Sequence, residues 1–175
     1  HIQFIRYIRK EIEIPDNIIN NCMIGGNNEL DKMRKQRIEN IRKEFESCDL
    51  YIFEICSLKL FTDKTIQINK KINEEYIQDK DDLYNDLDII RNMISIEKKI
   101  IFQSHIRLNV IHNDESKQIE KREIINEVVS RYCKDNEDKN VQHFDPSYLV
   151  KLNPHILEGD NKHFYDTQYK FVFDY

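Results

Sequence analysis

The sequence is short of the residues that build tight phosphate-binding loops. It has only three glycines, three prolines and no tryptophan in 175 residues. Gly25 and Gly26 are adjacent, but neither a lysine nor a strand-turn-helix pattern accompanies them, so a phosphate loop is not indicated. The same scarcity disfavours a sulfotransferase or a methyltransferase, which would need a phosphosulfate loop or a glycine-rich nucleotide loop. We therefore expect no nucleotide and no other cofactor.

Paired cysteines and paired histidines are also lacking. The four cysteines form no CxxC pair and show no zinc-like spacing. They are Cys22, Cys48, Cys56 and Cys133. Free thiols indicate a reducing compartment, so a cytoplasmic location is expected. No histidine forms an HxH or HxxxH pair with another, and a metal site is disfavoured for that reason. The histidines that could serve as metal ligands are His105, His112, His143 and His155.

Long apolar runs and an excess of positive charge are missing as well. No stretch approaches the roughly 20 apolar residues of a membrane span, and the start lacks the apolar core of a secretory signal. The net charge of −5 and the pI of about 5.7 argue against a nucleic-acid partner. The basic run from Lys32 to Lys43 alternates with apolar residues, as one solvated face of an amphipathic helix does.

The absence of alanine and the heavy use of Ile, Asn, Lys, Asp and Tyr fit an AT-rich coding sequence, such as that of a protist, some bacteria or a large DNA virus. The chain also begins with His1. We therefore expect the chain to be either a processed product or a piece of a longer chain whose preceding part is not included. The length suits one domain over residues 1–175, large enough to bury its own core.

Apolar blocks of two kinds predict an alternating pattern of helices and strands. Helical spacing of apolar residues predicts helices over 1–13, 29–46, 82–96 and 120–134, with another starting at 167. Short, nearly continuous apolar runs predict strands over 50–57, 100–106 and 141–145, the first of them buried on both faces. This order predicts a three-layer α/β/α domain with a parallel, flavodoxin-like sheet. Ligands of such sheets bind beyond the carboxyl ends of the strands.

A carboxylate and a histidine stand three residues apart near the end of the chain. Asp160 precedes His163 in the stretch Gly159-Asp160-Asn161-Lys162-His163. An imidazole titrates near neutral pH and can act as a general base when a carboxylate fixes its tautomer. A helix N-cap is the alternative role for Asp160.

These features together resemble the carboxyl-terminal part of an SGNH/GDSL-type hydrolase, in the branch related to capsule and surface-polysaccharide enzymes. The resemblance rests on the order of the three strands and on the D-x-x-H stretch, with support from the opening residues 1–7 and from Asp145-Pro146. It implies acyl transfer through a serine nucleophile, with His163 as the base and Asp160 as the orienting acid.

Two blocks of that superfamily have no counterpart in this chain. These are the Gly-Asp-Ser or Gly-Ser-Cys turn, which carries the serine, and the Gly-x-Asn-Asp block, whose asparagine helps to form the oxyanion hole. The simplest expectation is that the first strand and its serine lie upstream of His1. A sheet missing strands would expose an edge, which would call for a companion domain or chain.

Two serines inside the chain are alternative nucleophiles. Ser57 and Ser104 both end predicted strands, where a hydroxyl could face His163 across the sheet. The competing interpretation is that each hydroxyl bonds the local backbone. Cys56 lies within an apolar strand and is interpreted as inert packing.

Glu54 is an unusual residue within the first apolar run. A carboxylate buried alone there would be costly, so Lys59, His105 or Arg107 is expected to pair with it. Glu54, His105 and Arg107 are therefore candidate substrate-binding residues, with a buried ion pair between strand tips as the alternative.

The function expected from the sequence is removal or transfer of an O-acyl group, most simply acetyl, on a carbohydrate or another acylated small molecule. The alternative is a non-catalytic domain of the same fold that binds carbohydrate or assembles with another chain.

Overall fold

The computed structural model describes residues 1–14, 31–55, 58–60, 76–107 and 116–152. Five α-helices and five strands are seen in these ranges. The helices are α1 (Ile2–Ile8), α2 (Asp31–Phe45), α3 (Lys80–Asn92), α4 (Ser116–Asp135) and α5 (Ser147–Leu152). The strands are β1 (Leu50–Ile55), β2 (Lys59–Leu60), β3 (Tyr76–Ile77), β4 (Lys99–Ser104) and β5 (Val141–Phe144). A 3₁₀ turn, Glu137–Lys139, precedes β5.

The main sheet has three strands in the order β1-β4-β5, and both pairings are parallel. In the described part of each crossover lies a long helix, α3 after β1 and α4 after β4. This confirms the predicted parallel α/β fold. A separate antiparallel pair, β2 with β3, lies in the first crossover.

One face of the sheet carries the core. Alternate residues of β1 and β4 are buried on this face, and they join a single apolar cluster with the buried residues of α3 and α4. Helices α3 and α4 also pack against each other, with the rings of Tyr84 and Tyr132 centred 5.0 Å apart. Both crossover helices therefore cover the same face. The second helical layer of the three-layer prediction stays a prediction.

The prediction that β1 is buried on both faces is wrong. Its burial alternates, with Tyr51, Phe53 and Ile55 inside, whereas Leu50 and Ile52 are 46% and 52% exposed. An unbroken apolar run does not reveal this, because apolar residues occur on both faces of the strand. Glu54 falls on the exposed face, so its predicted burial is wrong too.

The first helix ends earlier than predicted. It was expected to reach residue 13, but α1 stops at Ile8. Lys10 adopts a left-handed backbone conformation with φ of 61°, and the Glu11 N–H bonds the Arg6 carbonyl at 2.9 Å, which closes the helix end.

Helix α5 follows Pro146, where the apolar spacing predicts no helix. The Asp145 carboxylate accepts a hydrogen bond from the Ser147 N–H at 2.9 Å, and the Tyr148 N–H bonds the Asp145 carbonyl at 3.2 Å. An aspartate followed by proline is a helix-start signal that the apolar spacing alone did not show.

A buried arginine ties the end of α3 to the start of β4 and to the turn before β5. The Arg91 guanidinium donates to the carbonyls of Lys98 at 2.8 Å, Ile94 at 2.8 Å and Lys139 at 3.2 Å, and also to that of Ser95. Burial lowers the pKa of Arg91, against the opposing influence of Tyr132. These carbonyls lie at the ends of elements, where backbone acceptors need partners from outside.

Candidate functional site

The carboxyl ends of the three parallel strands meet at one edge of the sheet. In register, Ile55 of β1 lies beside Ser104 of β4, and Gln103 lies beside Phe144 of β5. The residues that follow β4 and β5, His105 to Arg107 and Asp145 to Ser147, are thereby brought to the same edge. We name this group of residues, 104–107 with 143–147, the carboxyl edge.

Ser104 and His143 are neighbours at this edge. The Ser104 hydroxyl donates to Oδ1 of Asn126 on α4 at 3.1 Å, and Nε2 of His143 lies 3.2 Å from the same hydroxyl oxygen. A hydroxyl has a single proton, so in this arrangement His143 donates to Ser104 while Ser104 donates to Asn126. A serine nucleophile requires the opposite tautomer, in which Nε2 accepts the serine proton. Ser104 is also 0% exposed.

The charge state of His143 follows from its surroundings. Burial lowers the pKa of His143, the Asp145 carboxylate opposes this change, and the Arg107 guanidinium adds to it. The imidazole is therefore held neutral at pH 7. A neutral imidazole carries one N–H, which in this arrangement is the Nε2–H that Ser104 accepts.

Arg107 joins three elements, α4, β5 and α5, to the end of β4. Its guanidinium binds Glu123 of α4 at 2.7 Å and Asp145, just after β5, at 2.5 Å. Its backbone N–H donates to the hydroxyl of Ser147, the first residue of α5, at 3.0 Å. The segment 105–107 is held from a further side, because the Arg122 guanidinium donates to the Ile106 carbonyl at 2.8 Å.

The Asp145 carboxylate is ionised at this edge. Burial alone would raise the pKa of Asp145, but hydrogen bonds from Arg107 and Ser147 outweigh burial and lower it. For Arg107 the balance is similar, since burial acts to lower its pKa while Asp145 and Glu123 raise it overall. The pair is thus a charge-assisted contact in a partly buried setting.

Two of the three predicted partners of Glu54, Arg107 and His105, make other contacts, and the side chain of Lys59 lies outside what the structure describes. Arg107 pairs with Glu123 and Asp145, and Nδ1 of His105 accepts a hydrogen bond from the Ile106 N–H at 2.9 Å. The carbonyl of Glu54 contacts Nε2 of His1 at 2.7 Å, so this residue joins the amino end of α1 to the strand through its backbone. Arg107, one of the residues expected to pair with Glu54, forms its ion pair at the strand tips with Asp145 instead.

Three of the four predicted catalytic residues lie outside the described residues. These are Ser57, Asp160 and His163, and Cys56 lies outside them as well. Ser104, His105 and Arg107 are brought together at the carboxyl edge, as their positions after a parallel strand predicted. The roles of all these residues stay predictions.

Sequence reasoning missed His143, a member of the carboxyl edge, and Asn126 on α4, which accepts from Ser104. The sequence indicates His143 only as a possible metal ligand. The signal that could have found it is the strand period, because His143 pairs in register with Phe102 and so faces the same side of the sheet as Ser104. No sequence pattern pairs Asn126 with Ser104, since the contact depends on how α4 crosses the sheet.

Within the described ranges, no group of three or more His, Cys, Asp or Glu side chains is placed to hold a metal ion. None of the described helices has the length and apolar character needed to cross a membrane.

Comparison of the chain with family models, with curated proteins and with solved structures finds no match.

Proposed function

We propose that this chain supplies the base and the orienting acid of an SGNH-like O-acyl esterase or acyltransferase, which acts on an acylated, most simply acetylated, carbohydrate. His163 is the base, Asp160 is the acid, and the nucleophilic serine lies N-terminal to His1. The observation that supports this most is the parallel sheet whose carboxyl ends gather polar side chains at one edge. Ligands of open parallel sheets bind at that edge.

The chemistry requires one proton to be moved twice. His163 takes the proton of the serine hydroxyl as its oxygen attacks the acyl carbonyl, and Asp160 holds the imidazole and stabilises its charged form. Backbone N–H groups hold the oxyanion of the tetrahedral intermediate. His163 then returns the proton to the departing sugar oxygen, which leaves an acyl-serine. Water completes hydrolysis, or a second hydroxyl completes transfer.

Ser104 has a supporting role in this proposal. Its proton is donated to Asn126 and its hydroxyl is fully buried, so in this arrangement it is neither activated nor open to substrate. The Ser104–His143–Asn126 group holds α4 to the ends of β4 and β5. Such a buried polar group contributes only when all its members are satisfied.

The test is ester hydrolysis by the natural protein that contains residues 1–175 together with any residues preceding His1. Activity is measured on p-nitrophenyl acetate and as acetate released from an acetylated oligosaccharide. His163→Ala should lower kcat by about 10³-fold or more, because the base is lost, and Asp160→Asn should lower it by about 10²- to 10⁴-fold. Far-UV circular dichroism checks that each variant is folded.

His155→Ala is the matched control, since it removes another histidine from the same part of the chain and should leave kcat unchanged. Full activity in His163→Ala would refute the assignment. Ser104→Ala should retain the wild-type kcat. If this variant is folded but inactive, the nucleophile is Ser104 and not a serine N-terminal to His1.

A second candidate is a non-catalytic domain of this fold that assembles with another chain. The exposure of Leu50 and Ile52, two apolar side chains on one face of β1, favours it. No strand pairs with the outer side of β1 within the part of the chain that the structure describes. A folded wild-type protein that hydrolyses no acyl ester in the assay above would favour this candidate.

A further inference from the structure

We propose that Arg107 is a positioning residue of the carboxyl edge, which fixes the end of β4, the end of β5 and the start of α5 relative to one another. This inference rests on the proposed function in one respect, namely that the edge it fixes is where acyl transfer takes place. Arg107 itself is not proposed to touch the substrate, because both of its carboxylate partners belong to the protein.

The geometry places Arg107 at the junction of four elements. Its side chain spans from Glu123 on α4 to Asp145 after β5, and its own backbone follows β4. Ser147 receives the Arg107 N–H on its hydroxyl and gives its own N–H to the Asp145 carboxylate at 2.9 Å. Arg107, Asp145 and Ser147 therefore form a closed set of hydrogen bonds at the start of α5.

The chemistry of the side chain suits this task. A guanidinium has several N–H donors in a rigid plane, so it can bind two carboxylates at once and fix the angle between them. A lysine ammonium is a compact charge on a flexible stem, and it does not reproduce that angle. The side chains of Arg107 and Asp145 are only 19% and 24% exposed, so solvent screens their contact less than it screens a surface pair.

The position of the contact links it to the proposed chemistry. Helix α5 is the last described element before the stretch that contains Asp160 and His163, and its first residue is held by Arg107. Arg107, at the other end of the contact, lies three residues beyond the end of β4. A displacement of about 1 Å at reacting groups can cost about 10²-fold in rate. Loosening this junction should therefore lower kcat more than it changes KM.

The experiment compares Arg107→Gln, Arg107→Lys and wild type in the natural protein, with two readouts. The first is kcat and KM on p-nitrophenyl acetate, corrected for the folded fraction. The second is amide hydrogen exchange, followed by mass spectrometry, over residues 104–107 and 147–152. Arg131→Gln is the matched control, because Arg131 lies on α4 and its contacts with described residues include an exposed 3.9 Å ion pair with Asp81 and a ring contact with Tyr84, but none with the carboxyl edge.

Arg107→Gln should lower kcat about 10- to 100-fold with KM within about twofold, and it should speed exchange in both segments. Arg107→Lys should recover part of both effects, and Arg131→Gln should match wild type. If Arg107→Gln fails to fold, Glu123→Gln removes one of the two carboxylate contacts and is measured in the same way.

Unchanged exchange in the folded Arg107→Gln variant overturns the inference whatever the activity. Unchanged kcat with faster exchange also overturns it, because the junction would then be structural only. Wild type that hydrolyses no ester refutes the proposed function and, with it, the link to catalysis. In that case the exchange comparison still decides whether Arg107 holds α5 to the sheet.

Discussion

At the scale of single residues, His143 shows how a polar side chain is accommodated at the end of a strand. Its ring lies against Ser104. The charged groups that act on its pKa are Asp145, which raises it, and Arg107, which lowers it. Burial lowers its pKa because the imidazolium form would lose hydration, and a single carboxylate nearby does not offset that loss.

This lowered pKa predicts a contribution to acid sensitivity. The unfolded chain takes up a proton on His143 near pH 6.5, whereas the folded chain does so only at lower pH. Stability due to His143 is therefore present above about pH 6.5 and is lost as the pH falls towards the folded pKa. The free energy of unfolding is measured by urea denaturation at pH 7.5 and at pH 5.5. Its decrease from the higher to the lower pH should be larger for wild type than for His143→Gln.

Glutamine keeps a polar partner for Ser104 but does not titrate, so the difference between the two proteins isolates His143 from the other histidines. Equal losses in the two proteins would show that the folded-state pKa of His143 is not lowered.

At the scale of elements, α3 is the helix whose start the structure explains most fully. The Asp79 carboxylate accepts from the N–H groups of Asp81 at 2.9 Å and Asp82 at 2.8 Å, and the Asp82 carboxylate accepts from the Asp79 N–H at 3.4 Å. This reciprocal arrangement satisfies N–H groups that have no partner within the helix. It also explains why α3 begins at Lys80, two residues before the predicted start.

Removing this cap should destabilise the protein by a moderate amount. Asp79→Ala is expected to lower the free energy of unfolding by about 1 kcal/mol, measured by urea denaturation. Asp79→Asn is the control, because its side-chain carbonyl still accepts from both N–H groups and should leave stability near that of wild type. A full loss in Asp79→Asn would point to the charge, not to the cap.

At the scale of the whole molecule, Phe102 connects the sheet to the helices. It is 0% exposed at the middle of the central strand, and its ring lies 6.2 Å from that of Phe53 on β1 and 5.8 Å from that of Tyr132 on α4. These contacts join β1, β4 and α4 in one core, so a cavity at this position should weaken all of them together.

Phe102→Ala should therefore lower the free energy of unfolding by about 3–5 kcal/mol, a large part of the roughly 5–15 kcal/mol typical of a domain. Thermal and urea unfolding measure the loss. Ile96→Ala is the control, since Ile96 is 56% exposed and its truncation should change stability little. Similar losses in the two variants would contradict the assignment of Phe102 to the core.

The sequence by itself determined the α/β class, the parallel order of the strands and the main helices, because apolar spacing records secondary structure locally. It also placed Ser104, His105 and Arg107 at the carboxyl edge, since residues after parallel strands must lie there. It did not show that Glu54 is exposed, because a continuous apolar run contains no information on which face is covered.

Only the tertiary structure decided which polar side chains pair. Arg107 pairs with Asp145 and Glu123 and not with Glu54. Ser104 contacts His143 and Asn126. The partners in these contacts are 16 to 39 positions apart in the chain. Such pairs depend on strand register and on the crossing of α4 over the sheet, and neither leaves a periodic trace in the sequence.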